Sequence, residues 1–378
     1  MGSFNGAYSS IPATNLGSLA IAEALQRARL PGDRIDEVLM GCVLSAGLGQ
    51  APARQASIGA GLPHNVGAVT VNKVCGSSLQ TVIMAARAIA LGEALVIVAG
   101  GMENMTRAPF LLEKARQGYR LGHGELTDSL IKDGLWDVYN QFHMGNAGEL
   151  CAAKYHFSRQ EVDDFALESY RRAREAIATG AFTREIVPVE VHQKKGTPVI
   201  VSDDEEPNRV DLARLRQLKP VFQDDGVLTV GNSPSCNDGA AALIVMAEEE
   251  AGRLGLAPMA RIVGYAGAAL APEWFTVAPV EAIRRLLKQT GLSIGDIDLF
   301  EINEAFSAVS LAINRELGLD AKKVNIHGGA VALGHPIGAT GARILTTLLH
   351  AMEARDARRG LASLCIGGGE ALALIVER

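Results

Sequence analysis

Two cysteines, Cys75 and Cys365, and a histidine, His335, standing 30 residues before the second of them, are the residues of this chain best suited to chemistry. Cys75 follows the β-branched run Val69-Thr70-Val71 and precedes Gly76-Ser77-Ser78, where small residues open a helical pattern. The thiol therefore falls near a helix start, where unpaired N–H groups and the helix dipole favour a thiolate, the form that attacks carbonyls. Cys365 lies next to the end of the apolar run Leu361 to Ile366, which gives way to Gly367-Gly368-Gly369. Two thiols and one imidazole suit the passage of an acyl group to and from sulfur. His335 can take the proton of Cys75, which attacks a thioester or β-keto carbonyl, and Cys365 can move a proton at substrate carbon or at the leaving thiol. Asn303 can hold a water or a carbonyl through its amide, and the N–H groups of Cys75 and Gly367 are candidate oxyanion donors. Glycine at 367 lets the backbone come close to a substrate.

Each residue alone has a plainer explanation. A free cysteine usually packs as a small hydrophobe. A lone histidine in a glycine-rich loop can serve backbone groups only, and asparagine commonly caps helices. The loop Gly334-His335-Pro336-Ile337-Gly338-Ala339-Thr340-Gly341 can also be read as a phosphate cradle before a helix, yet it carries neither the Walker lysine nor G-x-G-x-x-G. Cys42, Cys151 and Cys236 have no comparable setting, and no CxxC pair or cysteine–histidine spacing resembles a zinc site.

The elements that must position these residues follow from pattern. The chain has 41 glycines, and apolar runs such as residues 93–101 alternate with helical spacing such as Leu79, Val82, Ile83, Ala86 and Ala90. This predicts an α/β fold with mostly parallel inner strands, buried on both faces and crossed by helices. From Met102 to about Ser235 the chain is more irregular, which predicts an inserted domain, and the acidic run Asp203-Asp204-Glu205-Glu206 reads as a solvated loop. A buried strand resumes at residues 240–246, and a second half then replays the first in architecture. Strands are expected at residues 297–302, 323–326, 361–366 and 371–376, with helices after Asn303-Glu304-Ala305-Phe306 and from Gly341 to Met352. The reactive side chains fall at strand ends, the edge at which α/β proteins assemble sites.

At 378 residues, 48% hydrophobic and 21% charged, the chain can bury a large core and is long enough for two or three domains. A net charge of −6 with scattered basic residues argues against a nucleic-acid face or a polybasic membrane anchor. Five cysteines without regular spacing fit reduced thiols in the cytoplasm better than a disulfide framework. The start Met1-Gly2-Ser3-Phe4-Asn5-Gly6 is neither basic nor apolar enough for a signal peptide, and no uninterrupted apolar stretch reaches membrane-spanning length. A soluble globular protein is expected.

Taken together, Cys75-Gly76-Ser77, Asn303-Glu304-Ala305-Phe306, Gly334-His335-Pro336 and Cys365-Ile366-Gly367 resemble the four fingerprints of the thiolase family, in the family's order. The resemblance extends to Gly100-Gly101-Met102-Glu103, His143-Met144-Gly145 and Asn237-Asp238-Gly239-Ala240. It implies the thiolase fold, two similar α/β halves stacked as five αβαβα layers, with an inserted loop domain that covers coenzyme A. The implied division is residues 1–106 plus 236–257 for the N-terminal half, 107–235 for the loop domain and 258–378 for the C-terminal half. The implied roles give Cys75 the acyl group and Cys365 the proton transfer. His335 activates Cys75 and, with a water held by Asn303, binds a thioester oxygen, while the N–H groups of Cys75 and Gly367 form the other oxyanion hole. His143, Met144, Phe222, Phe306 and Leu135 resemble residues along the pantetheine and acyl channel. The implied activity is reversible Claisen condensation of two acetyl-CoA to acetoacetyl-CoA, or thiolysis of 3-oxoacyl-CoA, within lipid and fatty acid metabolism. Acyl-CoA and coenzyme A enter as substrates, with no permanently bound cofactor and no metal. Two rivals are a decarboxylating condensing enzyme of ketoacyl-synthase type, which usually needs two histidines where Asn303 and Cys365 stand, and a non-catalytic acyl-CoA-binding member of the fold.

Three departures from the family pattern stand out. Family members usually begin with an extra strand and an Arg-Thr turn before the position of Met1, so a strand of the sheet interior is expected to be missing, and a misassigned start is the favoured reading. Pro234 stands where many relatives place a serine that bonds the pantetheine. Residues 273–279 replace the usual Met-Gly-x-Gly-Pro segment near the acyl pocket. Residues 116–122 through 133–135 resemble the loop by which thiolase dimers pair, so a homotetramer built as a dimer of dimers is expected.

Overall fold

The computed structural model describes residues 1–193 and 196–378. Its frame is two mixed sheets. The first joins β1 (Gly2–Ser3), β2 (Glu37–Gly41), β3 (Gly67–Val71), β4 (Val96–Asn104) and β5 (Asn237–Met246) in the order β1-β5-β4-β2-β3. The second joins β6 (Arg261–Ala269), β7 (Leu299–Ile302), β8 (Arg359–Ile366) and β9 (Glu370–Glu377) in the order β6-β9-β8-β7. β4 is buried at every position, as a strand covered on both faces must be.

Helices α1 (Ala13–Ala28) and α2 (Pro52–Gly59) cover the outer face of the first sheet. Helices α3 (Ser77–Ala90) and, near the C-terminus, Thr340–Ala354 lie between the sheets. Their apolar faces, Leu79, Val82 and Ile83 with Ile344, Leu345 and Leu348, fill one core against Leu39 and Ile97 of one sheet and Leu364 and Leu374 of the other. Each such side chain stabilises the fold by about 1.5–3 kcal/mol. Between β4 and β9 in chain order come α4 (Met144–Lys154), α5 (Arg159–Ala178), α6 (Ala278–Thr290) and α7 (Ser307–Leu317), and the helix Thr340–Ala354 is α8. α6 packs on β6 and β9 from outside, completing five layers.

The structure departs from the sequence pattern in four places. Pairing is mixed rather than mostly parallel: β2 runs parallel to β3 and β4, and β7 to β8, whereas β5 and β9 are antiparallel to their neighbours. The cause at β9 is local, because Gly368 and Gly369, with φ of 91° and 93°, reverse the chain directly after β8. The strand expected at residues 323–326 is only a single bridge from Val324 to Phe300. The acidic run is not a solvated loop: Asp204 is buried and ion-pairs the Met1 ammonium, and Glu205 accepts N–H bonds from Ser3 (2.8 Å) and Ala7 (3.0 Å).

The fourth departure concerns the place of the first strand, which lies at a sheet edge and not in the sheet interior. β1 pairs with β5 only through Gly2↔Asp238 and Ser3↔Asn237. From Gly239 to Met246 that side of β5 borders a cavity of about 1080 Å³, walled by α1, Tyr265 and Leu345. In the second sheet the corresponding side of β9 is covered by the nine-residue β6.

Candidate active site

Cys75 stands on a strained elbow between β3 and α3. Val74 is held at φ 47°, a conformation costly for a β-branched residue. Three bonds compensate: Asn72 Oδ1 accepts the Val74 N–H (3.1 Å), Ser77 Oγ accepts the Lys73 N–H (2.9 Å), and the Ser77 hydroxyl donates to the Val74 carbonyl (2.6 Å). The elbow presents Cys75 half-buried, walled by protein yet reachable from solvent. Burial pushes its thiol up to about 11, opposed by the N–H groups of Gly367 and of Cys75 itself near the sulfur. Lys73 ion-pairs Glu370, tying the elbow to the β8–β9 turn.

Cys365 stands one residue before the end of β8 and is almost fully buried. Burial, then the nearness of Cys75, holds its pKa well above the usual thiol value. Just beyond it, a Cβ placed on Gly367 would lie 3.3 Å from Met144 Sδ and 3.7 Å from Val74 Cγ1, so this glycine sits where elbow, turn and α4 meet.

His335 enters from the loop before α8. Its backbone N–H donates to Asn237 Oδ1 (3.0 Å), its Nδ1 lies 2.7 Å from Thr340 Oγ1, and its Nε2 lies 3.5 Å from Asn303 Nδ2. Burial, with the charge of Arg343 adding to it, lowers its pKa to about 3, so the ring is a neutral base. The Oδ1 of Asn303 is buried and has no hydrogen-bond partner among the described residues. Ile337, two residues after His335, packs with Val43, Leu44, Met105 and Leu130, and both Cys75 and Leu135 border that cluster.

Two buried carboxyls hold these loops. Glu103, at the end of β4, accepts N–H bonds from Val43 (3.1 Å), Leu44 (3.0 Å) and Gly338 (2.9 Å), clamping the His335 loop to the first sheet. Burial raises its pKa to about 7 although those N–H groups oppose it. Glu304 accepts from Ser169 Oγ (2.7 Å), Asn325 Nδ2 (3.0 Å) and the Val331 N–H (3.1 Å), joining the end of β7 to the chain that leads to His335. Burial raises its pKa as well.

An aromatic wall rises on the α4 side. His143 stacks on Phe222 with centroids 5.2 Å apart, and Phe222 meets Phe306 edge-on at 5.8 Å. His143 Nδ1 accepts the Gly145 N–H (3.1 Å), capping α4, and burial lowers its pKa. Glycine at 145 and 148 lets Phe222 and Phe306 lie against the helix. Phe275, within the substituted segment 273–279, belongs to the same core as Met144 and Phe306. The structure thus gathers Cys75, Cys365, Gly367, Met144 and Leu135 around the elbow, Asn303 and His335 beside it, and His143, Phe222 and Phe306 along the wall. The sequence pattern left Thr340, Glu103, Glu304, Asn237 and Asn325 without roles. Their signal was polarity inside glycine-rich apolar segments, since a polar residue buried there needs partners.

This geometry has parallels over the whole chain. The family model for the thiolase N-terminal domain matches residues 1–249, and that for the thiolase C-terminal domain matches residues 256–378. Acetyl-CoA acetyltransferases of Pseudomonas aeruginosa and Escherichia coli are each 51% identical, with all of this chain and 96% of each relative aligned. A crystal structure of a thiolase from Ascaris suum in complex with coenzyme A superposes with a TM-score of 0.95 at 43% identity, covering 100% of this chain and 96% of that one. By its sequence over its full length and by its fold, the chain belongs to the thiolase family.

Proposed function

We propose that this chain is a coenzyme A-dependent acyltransferase that condenses two acetyl-CoA molecules to acetoacetyl-CoA and coenzyme A, and catalyses the reverse thiolysis. The observation that carries the reading is the meeting of Cys75 with Cys365 beside a neutral His335 and Asn303. His335 takes the Cys75 proton as the sulfur attacks acetyl-CoA, and Cys365 gives its thiol proton to the departing coenzyme A sulfur, which leaves as the free thiol. Cys365, as thiolate, removes an α-proton from a second acetyl-CoA. The resulting enolate attacks the acetyl-Cys75 carbonyl, and expulsion of the Cys75 thiolate frees acetoacetyl-CoA. The N–H groups of Cys75 and Gly367 bind the oxyanion at sulfur-bound acyl carbon, and Asn303 with His335 holds the thioester oxygen that becomes the enolate. His143, Met144, Phe222, Phe306 and Leu135 line the approach for the pantetheine arm.

The finer assignments rest on the same reading. The chain divides into residues 1–106 with 236–257, a loop unit 107–235 over coenzyme A, and 258–378. No bound cofactor is required by these steps. Among the described residues no helix is long and apolar enough to cross a membrane, in keeping with a cytoplasmic role in fatty acid metabolism. A homotetramer is supported by two apolar exposures: Val69 on the outer strand β3, and Phe110, Leu121 and Leu126 on the segment that follows β4. Assay of acetoacetyl-CoA, longer 3-oxoacyl-CoAs and malonyl thioesters tests the function. Thiolysis of acetoacetyl-CoA should be fastest, and malonyl turnover exceeding it overturns the reading.

A further inference from the structure

Thr340, fully buried at the first position of α8, faces two partners at once. Its Oγ1 lies 2.9 Å from the Pro336 carbonyl oxygen and 2.7 Å from His335 Nδ1. A hydroxyl has one proton and two lone pairs. Two oxygens 2.9 Å apart repel unless a proton lies between them, so the threonine proton belongs on the line to Pro336. What remains for Nδ1 is a lone pair, and Nδ1 must therefore carry the ring proton. The opposite edge of the ring is compatible with this: the neighbour of Nε2 at 3.5 Å is the Asn303 amide nitrogen, which donates and calls for no proton on Nε2. Burial keeps the ring neutral, so a single tautomer has a single basic site.

We propose that Thr340 is a positioning residue that fixes His335 in the Nδ1–H tautomer and thereby makes Nε2 the base of the site. This rests on the reading of His335 as base, but the tautomer itself is independent of that role. The 3.5 Å contact with Asn303 alone is too long to hold a ring in one tautomer, which leaves the choice to Thr340.

The test is ring-nitrogen NMR of protein labelled at histidine, with the His335 signals assigned by their loss in His335→Asn, combined with steady-state kinetics of Thr340→Ser and Thr340→Val. The wild-type ring should show a protonated Nδ1 and a bare Nε2. Thr340→Ser should keep that pattern and a kcat within about threefold. Thr340→Val, equal in shape but without the acceptor, should mix the tautomers and lower kcat on the order of a hundredfold with little change in KM. A protonated Nε2 in the wild type overturns the proposal, even if the valine variant does not fold. So does a folded valine variant that keeps the wild-type tautomer and kcat. Should His335→Asn still form the acyl-enzyme at the wild-type rate, the base assignment falls while the tautomer result stands.

Discussion

At the scale of residues, burial sets the resting state: a neutral Cys75 thiol and a neutral His335 imidazole, with thiol pKa about 11 and imidazole pKa about 3. The thiolate then forms only as substrate is attacked. Alkylation of Cys75 by iodoacetamide without acyl-CoA should rise about tenfold per pH unit from pH 7 to 10, and a plateau below pH 8 contradicts this. The same burial links folding to pH. His335 falls from an ordinary 6.5, so the unfolded chain binds more protons and stability drops as pH falls below about 6.5 towards 3. Glu103 rises from 4.5 to about 7, so it works the other way, costing stability as pH climbs through that window. Cys365→Ala should still trap acetyl on Cys75 but lose condensation by about a thousandfold or more; retained condensation would remove Cys365 from the reaction. The side chains proposed to react stand out in the sequence because few residue types do this chemistry. Thr340 does not, because its role depends on which neighbours its hydroxyl meets in the fold rather than on its own reactivity.

Among the elements, strand ends and tight turns place the chemistry. The Val74 elbow, the glycine turn after β8 and the clamp of Glu304 bring three separate loops together. Glu304→Ala leaves Ser169, Asn325 and the Val331 N–H without their acceptor and should lower stability by about 3 kcal/mol, read from urea unfolding, with kcat falling as His335 loosens. A loss under about 1 kcal/mol would show that the loop holds without the carboxyl. Buried strands and their ends were readable from apolar runs followed by glycine. Residues 323–326 misled because their apolar residues serve a loop held by Asn325, which bonds both the N–H (2.9 Å) and carbonyl (2.8 Å) of Ile302. The acidic run misled for a related reason, since composition does not reveal that Asp204 and Glu205 hold the chain terminus.

Across the whole molecule, the thiolase fold sets two sheets about a shared helical layer, and repetition of the two halves exposes one asymmetry. β6 covers β9, while the matching side of β5 is open. Continuing the register Gly2↔Asp238 sets Met1 opposite Gly239, and seven further positions would oppose Ala240 to Met246. A seven-residue valine- and isoleucine-rich extension ahead of Met1 should therefore raise Tm by about 3 °C or more and slow amide exchange along β5. The same extension interrupted by prolines, which lack the N–H donors of a strand, should do neither. Equal behaviour of the two extensions would mean that the slot does not accept a strand. The halves were visible in the sequence as repeated order; how their sheets pair was not, because register is a property of the assembled turns.

The central claim, that Cys75 carries the acyl group, is tested most directly by mass spectrometry of the intact protein after incubation with acetyl-CoA. The wild type should gain one acetyl group, mapped to the Cys75 peptide, and Cys75→Ala should gain none. Correctly folded wild type that gains no acetyl group, or gains it at another residue, contradicts the account.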